Sequence, residues 1–123
     1  MKSGLVLFAH GARDPRWAAP FEAIAAAVRE RAPEVEVRLA FLELMEPDLA
    51  AAIDALVADG CTAIDVLPLF LGTGGHLRRD LPPLVEAAAA RHAGVSIALH
   101  GAVGEAPAMI AAMAAHALSL TQR

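Results

Sequence analysis

Four short apolar runs, each followed by a stretch with helical spacing, constrain this chain more than any other feature. Leu5-Val6-Leu7-Phe8-Ala9 lacks polar alternation and reads as a buried strand. Trp17, Phe21, Ile24 and Val28 recur at helical spacing, and Pro33 closes that helix. Glu34 to Ala40 sets Val35, Val37 and Leu39 on one side of a second strand. Pro47 opens a helix striped by Leu49, Ile53, Leu56 and Val57 and capped by Gly60. Ala63 to Leu69 is the third strand, and a loop follows from Phe70 to Asp80. Pro82 and Pro83 mark a helix start, with Leu84, Val85 and Ala88 at core spacing before Gly94. Val95, Ile97 and Leu99 alternate as the fourth strand. His100-Gly101 and Pro107 lead to a last, Ala-rich helix with Ile110, Met113 and Leu118.

Strands that alternate with helices pair in parallel through right-handed crossovers, with helices on both faces. The expectation is one three-layer αβα domain over residues 1–123, with a four-stranded parallel sheet in the order 2-1-3-4. In that order the chain winds one way after strand 1 and the other way after strand 3. The loops leaving those strands part and open a crevice at the carboxyl edge, and they carry His10 and His76.

Composition narrows the function classes. Ten basic residues against 14 acidic give a net charge of −4, which disfavours a nucleic-acid partner. No run is long and apolar enough for a membrane span, and Met1-Lys2-Ser3-Gly4 enters a strand directly, so the expected location is cytoplasmic. A single cysteine, Cys61, excludes an intrachain disulfide and reads as a small buried hydrophobe.

Imidazole near neutral pH accepts a proton or binds a divalent metal, and Glu43, just past strand 2, completes a two-His, one-carboxylate set with His10 and His76. The plain alternative is that these histidines only satisfy loop backbone groups. Gly72-Thr73-Gly74-Gly75 lacks the Lys and Ser/Thr of a Walker loop, but its amides at Gly74 and Gly75, with Arg78 and Arg79, suit an anionic group. His100 falls on the same sheet edge as a rim residue. His92 falls in the last turn of the third helix and His116 on the surface of the fourth. A receiver-type signalling module is disfavoured, because Asp14 is the one carboxylate in the loop after strand 1.

Leu7-Phe8-Ala9-His10-Gly11-Ala12-Arg13-Asp14-Pro15 resembles the opening motif of the small class II tetrapyrrole chelatases, the sirohydrochlorin cobaltochelatase and ferrochelatase group. Phe41-Leu42-Glu43 with Pro47 resembles the second motif. Leu67-Pro68-Leu69-Phe70-Leu71, then Gly75-His76 and Asp80, resembles the third. Ala12 departs from the pattern, which has Ser there. The resemblance, to the short single-repeat form, implies an ATP-independent lyase that inserts a divalent metal (Co2+ first, then Fe2+, or Ni2+) into sirohydrochlorin on the way to cobalamin or siroheme. It assigns His10, His76 and Glu43 to the active site and needs no cofactor beyond the substrate metal. Arg13, Arg78 and Arg79 are expected to pair with the macrocycle's carboxylates, and Phe8, Leu44, Phe70 and Leu71 to line the cleft. Larger relatives place two such halves face to face, so a homodimer is expected here, through the apolar last helix. A non-catalytic metal- or tetrapyrrole-binding protein on the same fold is the alternative.

Overall fold

In the computed structural model, which describes residues 2–122, the chain alternates strand and helix throughout. The elements are β1 (Lys2–Ala9), α1 (Ala19–Arg31), β2 (Glu36–Phe41), α2 (Leu49–Ala58), β3 (Cys61–Pro68), α3 (Gly75–Arg91), β4 (Ser96–Leu99) and α4 (Pro107–Ser119). Short 3-10 turns at Pro15–Ala18 and Val103–Glu105 precede α1 and α4. All strand pairs are parallel and the sheet order is β2-β1-β3-β4, the order expected from the sequence.

Side chains alternate across the sheet and sort the core into two faces. Val6, Phe8, Ile64 and Val66 meet α2 and α3 through Ile53, Leu56, Leu81, Val85 and Ala88, the larger cluster. Leu7 and Val37 meet α1 through Ala25 on the other face. A third cluster, Ala9, Ala18 and Phe41 with Trp17, Phe21 and Met45, sits under the loops that leave β1 and β2. Cys61 is buried, and burial pushes its thiol up from the ordinary value, which leaves it unreactive.

The structure corrects four details of the sequence reading. Trp17 belongs to the 3-10 turn before α1, and Ile24 is exposed while Ala25 packs on the sheet. A small residue there lets the helix approach closely, whereas a stripe drawn through the largest side chains misses it. Helix α3 starts at Gly75, so Pro82 and Pro83 lie inside it and His76, Arg78 and Arg79 occupy its first turns instead of a loop. Both prolines face solvent, where water satisfies the carbonyls that lose their partners. His92 follows α3 as its cap. Phe8 is core and does not line a cleft.

The middle of α2 and the C-terminal end of α3 are tied by one carboxylate. Asp54 accepts from Arg91 at 2.8 Å and pairs with His92 Nε2 at 2.6 Å. The Arg91 guanidinium first, then His92, holds the Asp54 carboxyl below its usual range, against a small opposing effect of burial. Because the folded pKa is depressed, the stabilisation is present above the unfolded value near 3.9 and is lost as pH falls through the folded one. The site is half exposed, so Asp54→Asn should cost no more than about 1 kcal/mol at pH 7. Urea titrations of both proteins should show that difference closing as pH falls from the unfolded value through the depressed folded one.

Candidate functional site

The site begins with a close approach of two backbones. Beyond the last paired residues of β1 and β2, Leu42 N–H donates to Ala9 O (2.9 Å) and Glu43 N–H donates to His10 O (3.1 Å). The pairing thus runs past the strands into both loops. Gly11 follows with φ +98, and a Cβ built there would stand 1.8 Å from Glu43 O. Only glycine fits both the conformation and the space.

The Glu43 loop is closed on itself. Phe41 N–H donates to Pro47 O (2.9 Å), and Met45 N–H donates to Glu43 O (2.8 Å) across Leu44 at φ 65. That is a three-residue turn centred on a left-handed, exposed leucine, a strained conformation of the kind held at functional sites. It presents Glu43 outward.

The result is a direct His10–Glu43 pair, Nε2 to Oε1 at 3.1 Å, with the side chains 50% and 55% exposed. The His10 ring stands edge-on to Phe70 at 6.2 Å, and Phe70 stands edge-on to the buried Phe8 at 6.1 Å. Core packing therefore fixes the ring plane, while both polar groups stay within reach of solvent.

His76 lies at the same sheet edge but is not gathered into this pair. In the first turn of α3, its Nε2 meets Asp80 Oδ2 at 3.1 Å, one helical turn on, and its side chain is 85% exposed. Among the described residues no group of three His, Cys, Asp or Glu side chains is assembled to hold a metal. The expected set of His10, His76 and Glu43 is thus two residues in contact and one apart.

The expected anion-binding residues divide in the same way. Gly74 caps α3 without a side-chain bond, which leaves the helix's first amides open with Gly75 behind it. Arg78 is engaged inside the protein, with Nε donating to Thr73 Oγ1 (3.1 Å) and NH2 3.8 Å from Glu105. Arg79 donates to Gly75 O. Arg13 lines a cleft of about 310 Å3 with Phe41, Leu44 and Met45. Just beyond it, Asp14 caps the 3-10 turn and binds Arg16, whose hydrogen bonds hold the Asp14 carboxyl below its usual value. Of the apolar residues expected in the cleft, Leu44 and Leu71 are exposed beside the site and Phe70 is packed under His10.

Three features escaped the sequence. Asp80 as the partner of His76 is an i, i+4 signal that is visible only once α3 begins at Gly75. His100 pairs with Asp65 at 2.8 Å, and Asp65 lies mid-strand in β3 with nothing local to mark it. A groove of about 850 Å3 lies on the α1 face of the sheet and not at His10. Its lining is almost wholly apolar, so the chemistry remains at the His10 edge.

Comparison with known proteins decides the family. A family model described as CbiX matches residues 4–119.

This chain belongs to the CbiX family.

Among curated CbiX relatives, the sirohydrochlorin cobaltochelatase of Methanosarcina barkeri (strain Fusaro) is 32% identical over 84 residues, 68% of this chain and 65% of that protein. The chain thus matches a little less than two thirds of that relative's length. A crystal structure of a CbiX protein from Marinobacter aquaeolei VT8 superposes with a TM-score of 0.83 at 33% identity, covering 97% of both chains. The sirohydrochlorin chelatase SirB from Bacillus subtilis subspecies spizizenii, in complex with cobalt, superposes with a TM-score of 0.81 at 26% identity. That match covers 97% of this chain and 51% of SirB.

Gly11→Ala tests whether the backbone approach builds the site. It forces a left-handed alanine into Glu43 O, at a cost of about 3 kcal/mol or more in stability. Thermal melts should show that loss, and Ala12→Gly, one residue on, should not.

Proposed function

We propose that this chain inserts a divalent metal ion, Co2+ first and then Fe2+ or Ni2+, into a sirohydrochlorin-type tetrapyrrole. The observation that carries the reading is the His10–Glu43 pair, exposed at the carboxyl edge of the sheet of a CbiX-family chain. The cobaltochelatase relative and the cobalt complex of SirB support it.

Metallation must bring a cation to the ring nitrogens and take two pyrrole protons away, and one exposed imidazole passes them to solvent one after the other. Adjacent ligands on a metal at about 2.1 Å stand about 3.0–3.4 Å apart, and Nε2 of His10 lies 3.1 Å from Oε1 of Glu43. The cation replaces the proton between them and is held by one nitrogen and one oxygen. Two half-exposed ligands hold a metal briefly, where a structural site encloses it with four. That incompleteness favours delivery over storage, and hence an enzyme over a metal-binding protein without turnover.

His76 takes the other role in this reading. Exposed and oriented by Asp80, it accepts a pyrrole proton as the metal enters. Arg13, Arg79 and the open amides at Gly74 and Gly75 pair with the macrocycle's carboxylates, and Leu44 and Leu71 lie against its faces. Arg78 shapes the loop through Thr73 and Glu105. No cofactor beyond the substrate metal takes part. A flat macrocycle needs a second wall, which a second copy of the chain supplies, so the working unit is a homodimer.

Anaerobic incubation with sirohydrochlorin and Co2+, Fe2+ or Ni2+, followed by absorbance, tests this directly. Wild type should accelerate insertion. His10→Ala, Glu43→Gln and His76→Ala should each lose about 100-fold or more. Only the first two should also weaken binding of Co2+ alone. His116→Ala should keep the rate. A protein that binds the tetrapyrrole tightly and metallates none of it would establish the non-catalytic alternative.

A further inference from the structure

Among the described residues, two glycines stand where a neighbouring backbone leaves no room for a Cβ. One is Gly11 against Glu43. The other is Gly104, where a Cβ would lie 2.0 Å from Leu71 O and 2.3 Å from Leu71 Cα. Backbone cannot step aside as a flexible side chain can, so this close approach also requires glycine. Both contacts hold loops of the His10 edge.

Gly104 sits in the 3-10 turn Val103–Glu105, and that turn is a firm base. Glu105 N–H donates to Ala102 O (3.0 Å), Ala106 N–H donates to Val103 O (3.1 Å), and Ala102 is buried in the main core. From there Gly104 N–H donates to Phe70 O at 2.9 Å. The loop after β3 needs such an anchor. Gly72, Gly74 and Gly75 have open space around them, and Leu71 is 75% exposed. Glu105 adds a second tie, accepting from Thr73 Oγ1 at 3.3 Å, while Arg78 Nε donates to the same hydroxyl. The His10 side chain is half exposed, so its ring turns freely unless something stands against it. Phe70 does so, edge-on at 6.2 Å, and is itself braced by Phe8. One line of contacts therefore runs from the core through Gly104 to the Phe70 backbone, and from the Phe70 ring to the imidazole.

We propose that Gly104 is a positioning residue for His10: it seats Phe70, whose ring keeps the imidazole turned toward Glu43. This rests on the reading of His10 and Glu43 as the metal-binding pair. Groups that orient a ligand without touching the metal govern about 10- to 100-fold in metal affinity. An imidazole released from Phe70 has to be ordered again each time a cation arrives. The loss therefore falls on capture of the metal, whereas His76 and the proton it accepts are left as they were.

Gly104→Ala tests this, with Gly101→Ala as the control, because a Cβ at Gly101 meets open space. In metal-free protein, nuclear Overhauser contacts between the His10 and Phe70 rings should be present in wild type and control and lost in Gly104→Ala. Calorimetric titration with Co2+ alone should show binding about tenfold weaker in Gly104→Ala and unchanged in the control. In metallation assays KM for Co2+ should rise with kcat unchanged, a split that general destabilisation does not produce. Should Gly104→Ala fail to fold, Phe70→Leu, which keeps apolar volume but removes the ring edge, should weaken Co2+ binding about tenfold. In wild type, saturating Co2+ should then also slow hydrogen exchange at the Gly104 N–H, since coupling between two sites is reciprocal. A folded Gly104→Ala that keeps the ring contact or binds Co2+ as wild type does overturns the proposal. So does exchange at Gly104 that is indifferent to Co2+. Undiminished Co2+ binding by His10→Ala overturns the metal-pair reading instead, and the ring contact in metal-free protein still decides whether Gly104 positions His10.

Discussion

The His10–Glu43 site depends on one contact without side chains, the backbone of Gly11 against that of Glu43. A Cβ at Gly11 would fall inside the Glu43 carbonyl, and the two loops are bonded backbone to backbone from Ala9–Leu42 to His10–Glu43. Parallel strands usually diverge once their pairing ends. Here they stay joined for two residues beyond, and the two residues so joined carry an imidazole and a carboxylate. The left-handed Leu44 and the bond from Phe41 to Pro47 O hold the second loop in the shape that this requires. Underneath, Phe70 and Phe8 carry the packing of the core up to the imidazole ring. Strain and stiffness are concentrated where the proposed chemistry needs an imidazole and a carboxylate at a fixed separation.

The rest of the molecule is arranged around that edge. The order β2-β1-β3-β4 sets β1 at the centre, where the loops part to either side. Helix α3 brings His76 and open amides to one flank, and the loop between β1 and the 3-10 turn brings Arg13 to the other. The α1 face takes no part in this chemistry.

Much of this was legible in the sequence, for physical reasons. Buried parallel strands appear as unbroken apolar runs, so β1 could be read from Leu5–Ala9, and alternation with helices then implied a parallel sheet whose simplest order is the one found. His10 and Glu43 end adjacent strands, so topology alone brings them to one edge. The prolines misled the reading of α3, because a proline inside a helix and one at its start differ only in what surrounds them, and Pro82 and Pro83 face water. That error hid the His76–Asp80 pair. Ile24 misled in another way: periodicity weighs side-chain size, whereas the helix approaches the sheet through Ala25. Nor could periodicity show that α4 would bury none of its residues, since an apolar helix reads the same whether or not it is covered.

The central claim is that His10 and Glu43 act as one unit on the metal, and a double-mutant cycle tests it most directly. Cobalt insertion into sirohydrochlorin would be measured for wild type, His10→Ala, Glu43→Gln and the double variant under identical anaerobic conditions. Groups that act as a unit are strongly non-additive. The account predicts that the double variant is no slower than the slower single variant. Losses that multiply, so that the double variant shows the product of the two single effects, would mean that the two residues act separately, and the unit described here would not exist.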